Sequence, residues 1–417
     1  MDLTLTDGER AFQQECREFM QAEAPRGRVP YDESGRWVEE SKRWQRTLAE
    51  GRWAVPGWPG QWGGRNATPV ELMLYEHELA AIHPPRAINV IGTGWGGAAL
   101  LRHGSEAQKQ RYLPHIPAAD EVWCQLFSEP DAGSDLAALS SRATRQPDGS
   151  YRLDGQKVWS SIAMHADRGI LLARTDPEAR KHQGISCFVL DMHAPGITIR
   201  PIKQITGESD FNEVFFDDVP IPESDRIGHE GEGWTVAITT LMAERIGLSA
   251  GEGTLWGTGP TWQDVLDLYH RRRDAGLLPE GDQGAALRDE MARLHVQSEA
   301  LRLTGLRLLS SLAHGELPAA HQGGRLANAG LGGVPPTARA SAQIMSVRKL
   351  ASDIWGQDVH EAVWRLLGPH ALASRGEPEA VDDAAWQRAY LFARALTIGG
   401  GTTEVQKDIL ARRVLGL

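Results

Sequence analysis

Three stretches of this chain concentrate residue types that can do chemistry. The first is Trp123–Ala138, WCQLFSEPDAGSDLAA, a short apolar strand ending in Ser128-Glu129-Pro130 and then a tight turn through Asp131 to Asp135. Successive turn amides can form an anion-binding concavity, and Ser128 and Ser134 add hydroxyl donors. An ordinary capped turn is the simpler reading of those residues alone. The second is the Glu244-Arg245 pair in the helical stretch Trp234–Gly247. On a wheel of about 100° per residue, Arg245 falls within the stripe of Trp234, Ile238, Leu241 and Leu248, with Glu244 on its shoulder. A guanidinium facing a packed interior needs a partner, so the pair is either a structural ion pair or part of a site. The third is Thr397–Gln406, TIGGGTTEVQ. Its glycines allow close backbone approach or positive φ just before a helix capped by Thr402 or Thr403. The amides of such a helix start suit an oxyanion or a phosphate; a plain loop before a terminal helix is the alternative.

Other signals carry less. Gly92-Thr-Gly94-Trp-Gly96-Gly97 fits G-x-G-x-x-G, follows the strand-like AINVI and precedes AALL. A dinucleotide site also needs a βαβ unit and an acidic residue about 20 positions on, and neither can be drawn. A glycine-rich helix junction is the better expectation. The fourteen histidines offer no metal set: His77 and His83 flank a helix end without a neighbouring Cys or Asp cluster. The net charge of −11 argues against nucleic acid, since phosphate binding needs clustered Lys and Arg. Cys16, Cys124 and Cys187 lack metal or disulfide spacing, which suits a reducing cytoplasm. MDLTLTDGER lacks the basic and apolar runs of a signal peptide. No stretch approaches the roughly 18 apolar residues of a membrane span. Asn66-Ala-Thr68 matches a glycosylation acceptor but means nothing without a secretory route.

The elements that must position these stretches fall in three segments. The first reads helical. Thr6 with Glu9 makes a capping box, with Phe12, Cys16, Phe19 and Met20 on one face. Leu72, Tyr75, Glu76 and Leu79 keep helical spacing, as do Leu100 and Leu101 before Gly104, and the turn-rich VPGWPGQWGG of 55–64 separates the two helical groups. From about Val122 the chain turns to strands. Tyr151–Trp159 has strand composition around an Asp-Gly turn signal; Gly169–Ala173, Ile185–Asp191, Ile197–Ile202 and Glu213–Phe216 follow. Their spacing predicts an antiparallel sandwich or barrel. After Gly233 helices return, including a long one over Arg288–Leu312, with a Gly/Ala/Pro-rich insertion between His314 and Ala338. The expected class is α+β, with domains at 1–121 (helical), 122–232 (antiparallel β) and 233–417 (helical bundle).

Taken in order, these segments resemble the acyl-CoA dehydrogenase family over essentially the whole chain. WCQLFSEPDAGSDLA is similar to its first signature, DGQKVWSS to its flavin-contacting strand, and FNEVFFDDVPIP to the strand before the C-terminal helices. GGGTTEVQKDILARRVLGL is similar to the terminal helix, and the flavour is that of actinobacterial members, including those acting on steroid side chains. The resemblance implies an N-terminal helical domain, a middle β-domain and a C-terminal four-helix bundle. It implies FAD bound between β-domain and bundle, with a neighbouring subunit completing the site. By the same resemblance Gln125 to Ser134 would line the flavin, with Phe127 and Ser128 at the ring. Trp159 would pack on the isoalloxazine, and Ser161 would hydrogen-bond its edge. Ser134 would also lie near the CoA phosphates, and Thr402 and Glu404 by the adenosine half of FAD.

The departures from the family pattern are specific. Most members place the catalytic glutamate just before G-T-[ST]-x-[IV]-Q, where this chain has Gly400. A minority, isovaleryl-CoA dehydrogenase among them, use a glutamate on the first helix of the C-terminal domain. Glu244 in MAERIG matches that alternative, with Arg245 as its companion. The R-x-x-F-G stretch that reaches a neighbour's FAD is not found around Arg271–Leu278. Arg365-Leu-Leu-Gly-Pro-His-Ala371 stands where relatives have Q-x-F-G-G-x-G. Arg288 is the candidate replacement for the missing pyrophosphate contact. The expected reaction is α,β-dehydrogenation of an acyl-CoA, with Glu244 taking the α-proton. The Gly400 amide and a flavin ribityl hydroxyl would steady the thioester oxygen. Electrons would pass to an electron-transfer flavoprotein. The expected assembly is a homodimer or a dimer of dimers, or a mixed assembly with a related subunit. A flavin oxidase or monooxygenase relative, and a structural subunit of a mixed assembly, are the alternatives.

Overall fold

The computed structural model describes residues 4–25, 35–82, 84–85, 87–250, 260–313, 336–415 and 417. For 242–250, 308–313, 336–345 and 413–414 it describes the backbone alone. The expected insertion after His314 lies almost wholly outside the described residues, as does His83. Contacts group the chain into two units: Met1–Leu72, Ile82–Glu244 and Pro318–Val334 in one, Met73–Ala81, Arg245–Leu317 and Pro335–Leu417 in the other.

The first unit begins with α1 (Asp7–Glu23) and α2 (Arg36–Glu50). The Thr6–Glu9 capping box forms as the sequence predicts, burying Cys16 and Met20. Phe12 and Phe19 set their rings against Trp53, centroids 5.2 and 6.1 Å away. α3 (Pro69–Ala81) is divided between the two units. It buries Leu74, Tyr75 and Glu78, so the inward face is turned from the one that includes Glu76. The G-x-G-x-x-G segment is helical: a π-helical turn over Ile91–Gly96 runs straight into α4 (Gly97–His103), and AINVI is no strand. Its glycines serve packing. A Cβ at Gly96 would meet the Trp123 ring at 2.8 Å, and one at Gly97 the Trp58 ring at 2.0 Å. α5 (Glu106–Tyr112) opens on a second capping box, Ser105 with Gln108.

Eight strands follow: β1 (Trp123–Leu126), β2 (Arg142–Arg145), β3 (Tyr151–Ser161), β4 (Arg168–Arg174), β5 (Ile185–Asp191), β6 (Ile197–Ile202), β7 (Phe211–Ile221) and β8 (Arg226–Ile227). They make one sheet in the order β6-β7-β3-β2-β4-β5-β8, with β1 paired to β4. The expectation of an antiparallel sheet holds for most pairs, but β1 and β2 each run parallel to β4. Long returns through the turn after β1 and through β3 allow that, since parallel neighbours cannot be joined by a hairpin. Asp154-Gly155, read as a turn signal, lies inside β3. There a register shift against β7 takes up Gly155 at φ 139°, and the chain reverses instead at Pro147–Ser150. Because strand side chains alternate, the sheet feeds two cores. Trp123, Ile170 and Leu172 enter one with Trp37, Trp58 and Val236; Cys124, Leu126 and Leu171 enter the other with Tyr151, Phe188 and Phe216.

α6 (Gly233–Ala250) leaves the sheet with Gly233 pressed on the Ser186 backbone. Its buried residues are Gly233, Val236, Ala237, Thr239 and Thr240; Trp234, Ile238 and Leu241 are only partly covered. The inward face is thus turned from the one the wheel assigned, and it includes Val236 and Ala237 in the core on one side of the sheet. The second unit holds α7 (Trp262–Asp274), α8 (Gly281–Ala313), α9 (Pro336–Leu367), α10 (Ala385–Phe392) and α11 (Thr403–Ile409). Its core gathers Trp262, Leu268, Met291, Trp355, Leu366 and Trp386. The polar edges of the tryptophans are satisfied: Trp262 donates to His295 Nδ1 at 3.0 Å and Trp355 to the Leu294 carbonyl at 3.0 Å.

Candidate active site

In the first unit, the turn after β1 is held by a buried ion pair. Lys157, wholly buried on β3, donates from Nζ to the Phe127 carbonyl at 3.0 Å and to Glu129 Oε1 at 2.8 Å. Glu129 also accepts from the Ser140 amide (2.6 Å), the Ser140 hydroxyl (2.8 Å) and the Ser141 amide (2.9 Å). Burial alone would raise its carboxyl. The Lys157 ammonium and those donors outweigh burial and hold it down at about 2. Burial pulls Lys157 down to about 8 against the pull of Glu129. The pair is therefore ionised at neutral pH. Reciprocal bonds of 3.1 Å between Glu129 and Ala132 close the turn, and the Val158 amide donates to the Ser128 carbonyl at 2.9 Å. Phe127 is buried, Gln125 and Ser128 are half-buried, and Ser134 is exposed at the tip.

The end of β3 carries the next group. Between Lys157 and Ser160 the register against β7 shifts, and Trp159 takes φ 60°, a left-handed conformation rare for a bulky residue. The bulge throws its indole outward, 59% exposed, edge-on to Phe211 with centroids 6.0 Å apart. Ser161, half-buried, sits opposite Phe211 in the ladder. Beneath them Asn212 donates to the carbonyls of Ser160 and Asp210 at 3.0 and 3.1 Å. The Ser160 hydroxyl and the Asn212 side-chain oxygen are buried without a hydrogen-bond partner among the described residues. An outward aromatic ring beside two half-buried serines, over unspent polar atoms, fits a flat heteroaromatic group with polar edges, as the flavin of FAD is.

In the second unit the glycine loop has the geometry its sequence predicts. Gly400 and Gly401 lie at φ 66° and 93°, which only glycine adopts cheaply. Thr402, rather than Thr403, caps α11, its hydroxyl accepting from the Val405 amide at 3.2 Å. Thr403 and Gln406 are buried with the Thr403 hydroxyl and both Gln406 amide atoms lacking partners among the described residues. Glu404 is exposed on the first turn of α11, and Arg288 is exposed on α8. Glu244 and Arg245 lie on the α6 backbone, and their side chains lie outside the described residues.

The structure brings Gln125, Phe127, Ser128, Ser134, Trp159 and Ser161 to one end of β1 and β3, and Gly400, Thr402 and Glu404 to one loop and helix start. Sequence reasoning passed over Lys157 and Glu129. A signal was available: Lys157 stands among the inward-facing positions of a strand, where a charge needs a carboxylate. Among the described residues no group of His, Cys, Asp and Glu could hold a metal, and no helix is long and apolar enough to cross a membrane.

Three family domains match in sequence: the acyl-CoA dehydrogenase N-terminal domain over residues 6–120, the middle domain over 124–219 and the C-terminal domain over 231–415. The chain belongs to the acyl-CoA dehydrogenase family, whose members are FAD-dependent oxidoreductases. Acyl-CoA dehydrogenase FadE34 of Mycobacterium tuberculosis is 37% identical over 91% of this chain; the match spans 47% of that relative, about half its length. Acyl-CoA dehydrogenase IpdE1 of the same organism is 34% identical over 91% of this chain and 88% of its own. Among solved structures, the Tcur3481-Tcur3483 steroid ACAD superimposes with a TM-score of 0.81 at 28% identity, covering 100% of this chain and 99% of that one. The architecture is thus the family's three-domain fold.

Proposed function

We propose that this chain oxidises the α,β bond of an acyl-CoA thioester to the trans-2-enoyl product. The observation that carries this reading is the pair of intact family segments. The Lys157–Glu129 pair holds the first signature rigid, and the Gly400–Gly401 turn opens a capped helix. Bound FAD supplies the acceptor for the β-hydride. The chain supplies the rest. Glu244 takes the α-proton, and Arg245 balances charge beside it. The Gly400 amide donates to the thioester oxygen, where negative charge grows as the proton leaves. Phe127, Ser128, Trp159 and Ser161, with Gln125, hold the flavin ring. Ser134 meets CoA phosphate, Thr402 and Glu404 meet the adenosine half of FAD, and Arg288 meets its pyrophosphate from a neighbouring subunit.

The acyl group we assign is a bulky one of the steroid side-chain type, supported by the similarity to a solved steroid ACAD. Electron-transfer flavoprotein is the proposed electron acceptor, and the cytoplasm the proposed location. For assembly we propose a homodimer or a dimer of dimers. Pairing with a related chain is the second reading, favoured by a relative of roughly twice this length and by the two-component names of solved relatives. The test is anaerobic bleaching of the bound flavin by a panel of linear, branched and steroid side-chain acyl-CoAs. Bleaching by the steroid-type member is expected. No bleaching by any member overturns the reading, and oxygen uptake without added acceptor replaces it with an oxidase.

A further inference from the structure

We infer that Lys349 is a positioning residue for the Gly400 amide, holding the glycine loop in the shape that amide needs. This rests on the proposed role of Gly400. Lys349 lies on α9 and is 5% exposed. Its ammonium donates to the Gly401 carbonyl at 2.7 Å and to the Leu396 carbonyl at 3.2 Å, the two ends of the loop. It also pairs with Asp353 Oδ2 at 2.6 Å, one helical turn further on. The ammonium thus spends two hydrogen bonds on the loop carbonyls, and its charge is balanced by the Asp353 carboxylate beside it.

The loop needs such a clamp. Within it the Ile398 and Gly399 amides both bond back to the Ala395 carbonyl, at 3.1 and 2.9 Å, and the Thr403 amide reaches the Thr397 carbonyl at 3.0 Å. Gly400 and Gly401 lie between these bonds in a left-handed conformation, with no side chains to pack. Two helical turns beyond Lys349, Gln357 ties the Ala393 carbonyl and the Thr397 hydroxyl, each at 3.2 Å. α9 thus grips the segment at four points. A backbone donor aids catalysis when it is already aimed before charge develops, so freedom at Gly401 would be lost rate rather than lost binding.

The probe is a 3-oxoacyl-CoA, whose acidic α-proton lets enolate formation on the protein be followed by absorbance without turnover. Lys349→Met alone strands the Asp353 carboxylate, so Lys349→Met/Asp353→Asn is made beside it to keep the fold. The double variant should retain FAD and bind the probe within about threefold. Its bound probe should ionise about 10- to 100-fold less readily, and flavin reduction should slow by a like factor, a fraction of what loss of an oxyanion donor costs. Wild-type ionisation and reduction rate in a folded, FAD-bearing double variant overturn the inference, as does a loss seen only in probe affinity. A wild-type protein that binds the probe but never ionises it overturns the proposed role of Gly400 instead, which separates the two failures.

Discussion

At the scale of single residues, the proposed base and the buried pair make opposite kinds of demand. Glu244→Gln keeps size and hydrogen bonding but loses basicity. Substrate should still perturb the flavin spectrum, while reduction slows by about 10²–10⁴-fold, the usual worth of a positioned general base. Near-wild-type reduction in stopped-flow would remove Glu244 from the role. Lys157 and Glu129 test architecture. Both are at least 95% buried, and removing one partner leaves the other's charge uncompensated. Lys157→Met should therefore cost about 3–5 kcal/mol in urea unfolding and release FAD. Adding Glu129→Gln should restore most of the stability. The pH sign follows from the depressed carboxyl: the stability from Glu129 is present above its ordinary value of 4.5 and is lost only as pH falls towards about 2.

At the scale of elements, small contacts decide which face looks inward. α6 approaches the sheet at Gly233, and α4 meets α6 through His103, whose Nε2 lies 2.8 Å from the Thr239 hydroxyl. Burial and the neighbouring Arg102 pull that imidazole down to about 4, with Glu232 opposing. A depressed folded value means the neutral ring is favoured. The contribution is intact above 6.5 and disappears as pH falls through 4. Replacing His103 with Gln should flatten the change in Tm between those limits; an unaltered slope would show that other groups set it. The glycine loop is the other element-scale device. Gly401→Ala would place a Cβ 2.7 Å from Gln406 Nε2 at a φ of 93°. The expected result is slowed flavin reduction with little change in global unfolding.

At the scale of the whole molecule, the proposed cofactor site asks for more than one chain. Purified protein is expected to be yellow, with up to one FAD per chain, and to run as a dimer or larger by native mass measurement. Arg288→Ala should weaken FAD binding while leaving the unfolding midpoint unchanged, since Arg288 is exposed on α8. Unchanged affinity would remove Arg288 from the site. A protein that stays colourless when incubated with FAD alone, and turns yellow only with a related second chain, would favour the mixed assembly.

The sequence by itself determined the kinds of element and most of their order. The α1 capping box, the runs that became β4, β5 and β6, and the positive φ of Gly400 and Gly401 are local matters of propensity, period and sterics. The family resemblance likewise rests on contiguous residues. Tertiary structure decided what depends on partners far along the chain. Asp154-Gly155 is a good turn dipeptide, yet pairing with β7 drew it into a strand and moved the reversal to Pro147–Ser150. The parallel placement of β1 beside β4 joins residues 45 positions apart, which no local pattern encodes. The inward face of α6 was set by contacts beyond any helical wheel, beginning with Gly233 against the Ser186 backbone of β5. Lys157 and Lys349 read as ordinary charges until the fold gives each a carboxylate and at least one backbone carbonyl. A buried ammonium is stable only where acceptors and a counter-charge converge on it, and most of that convergence exists only in the folded chain.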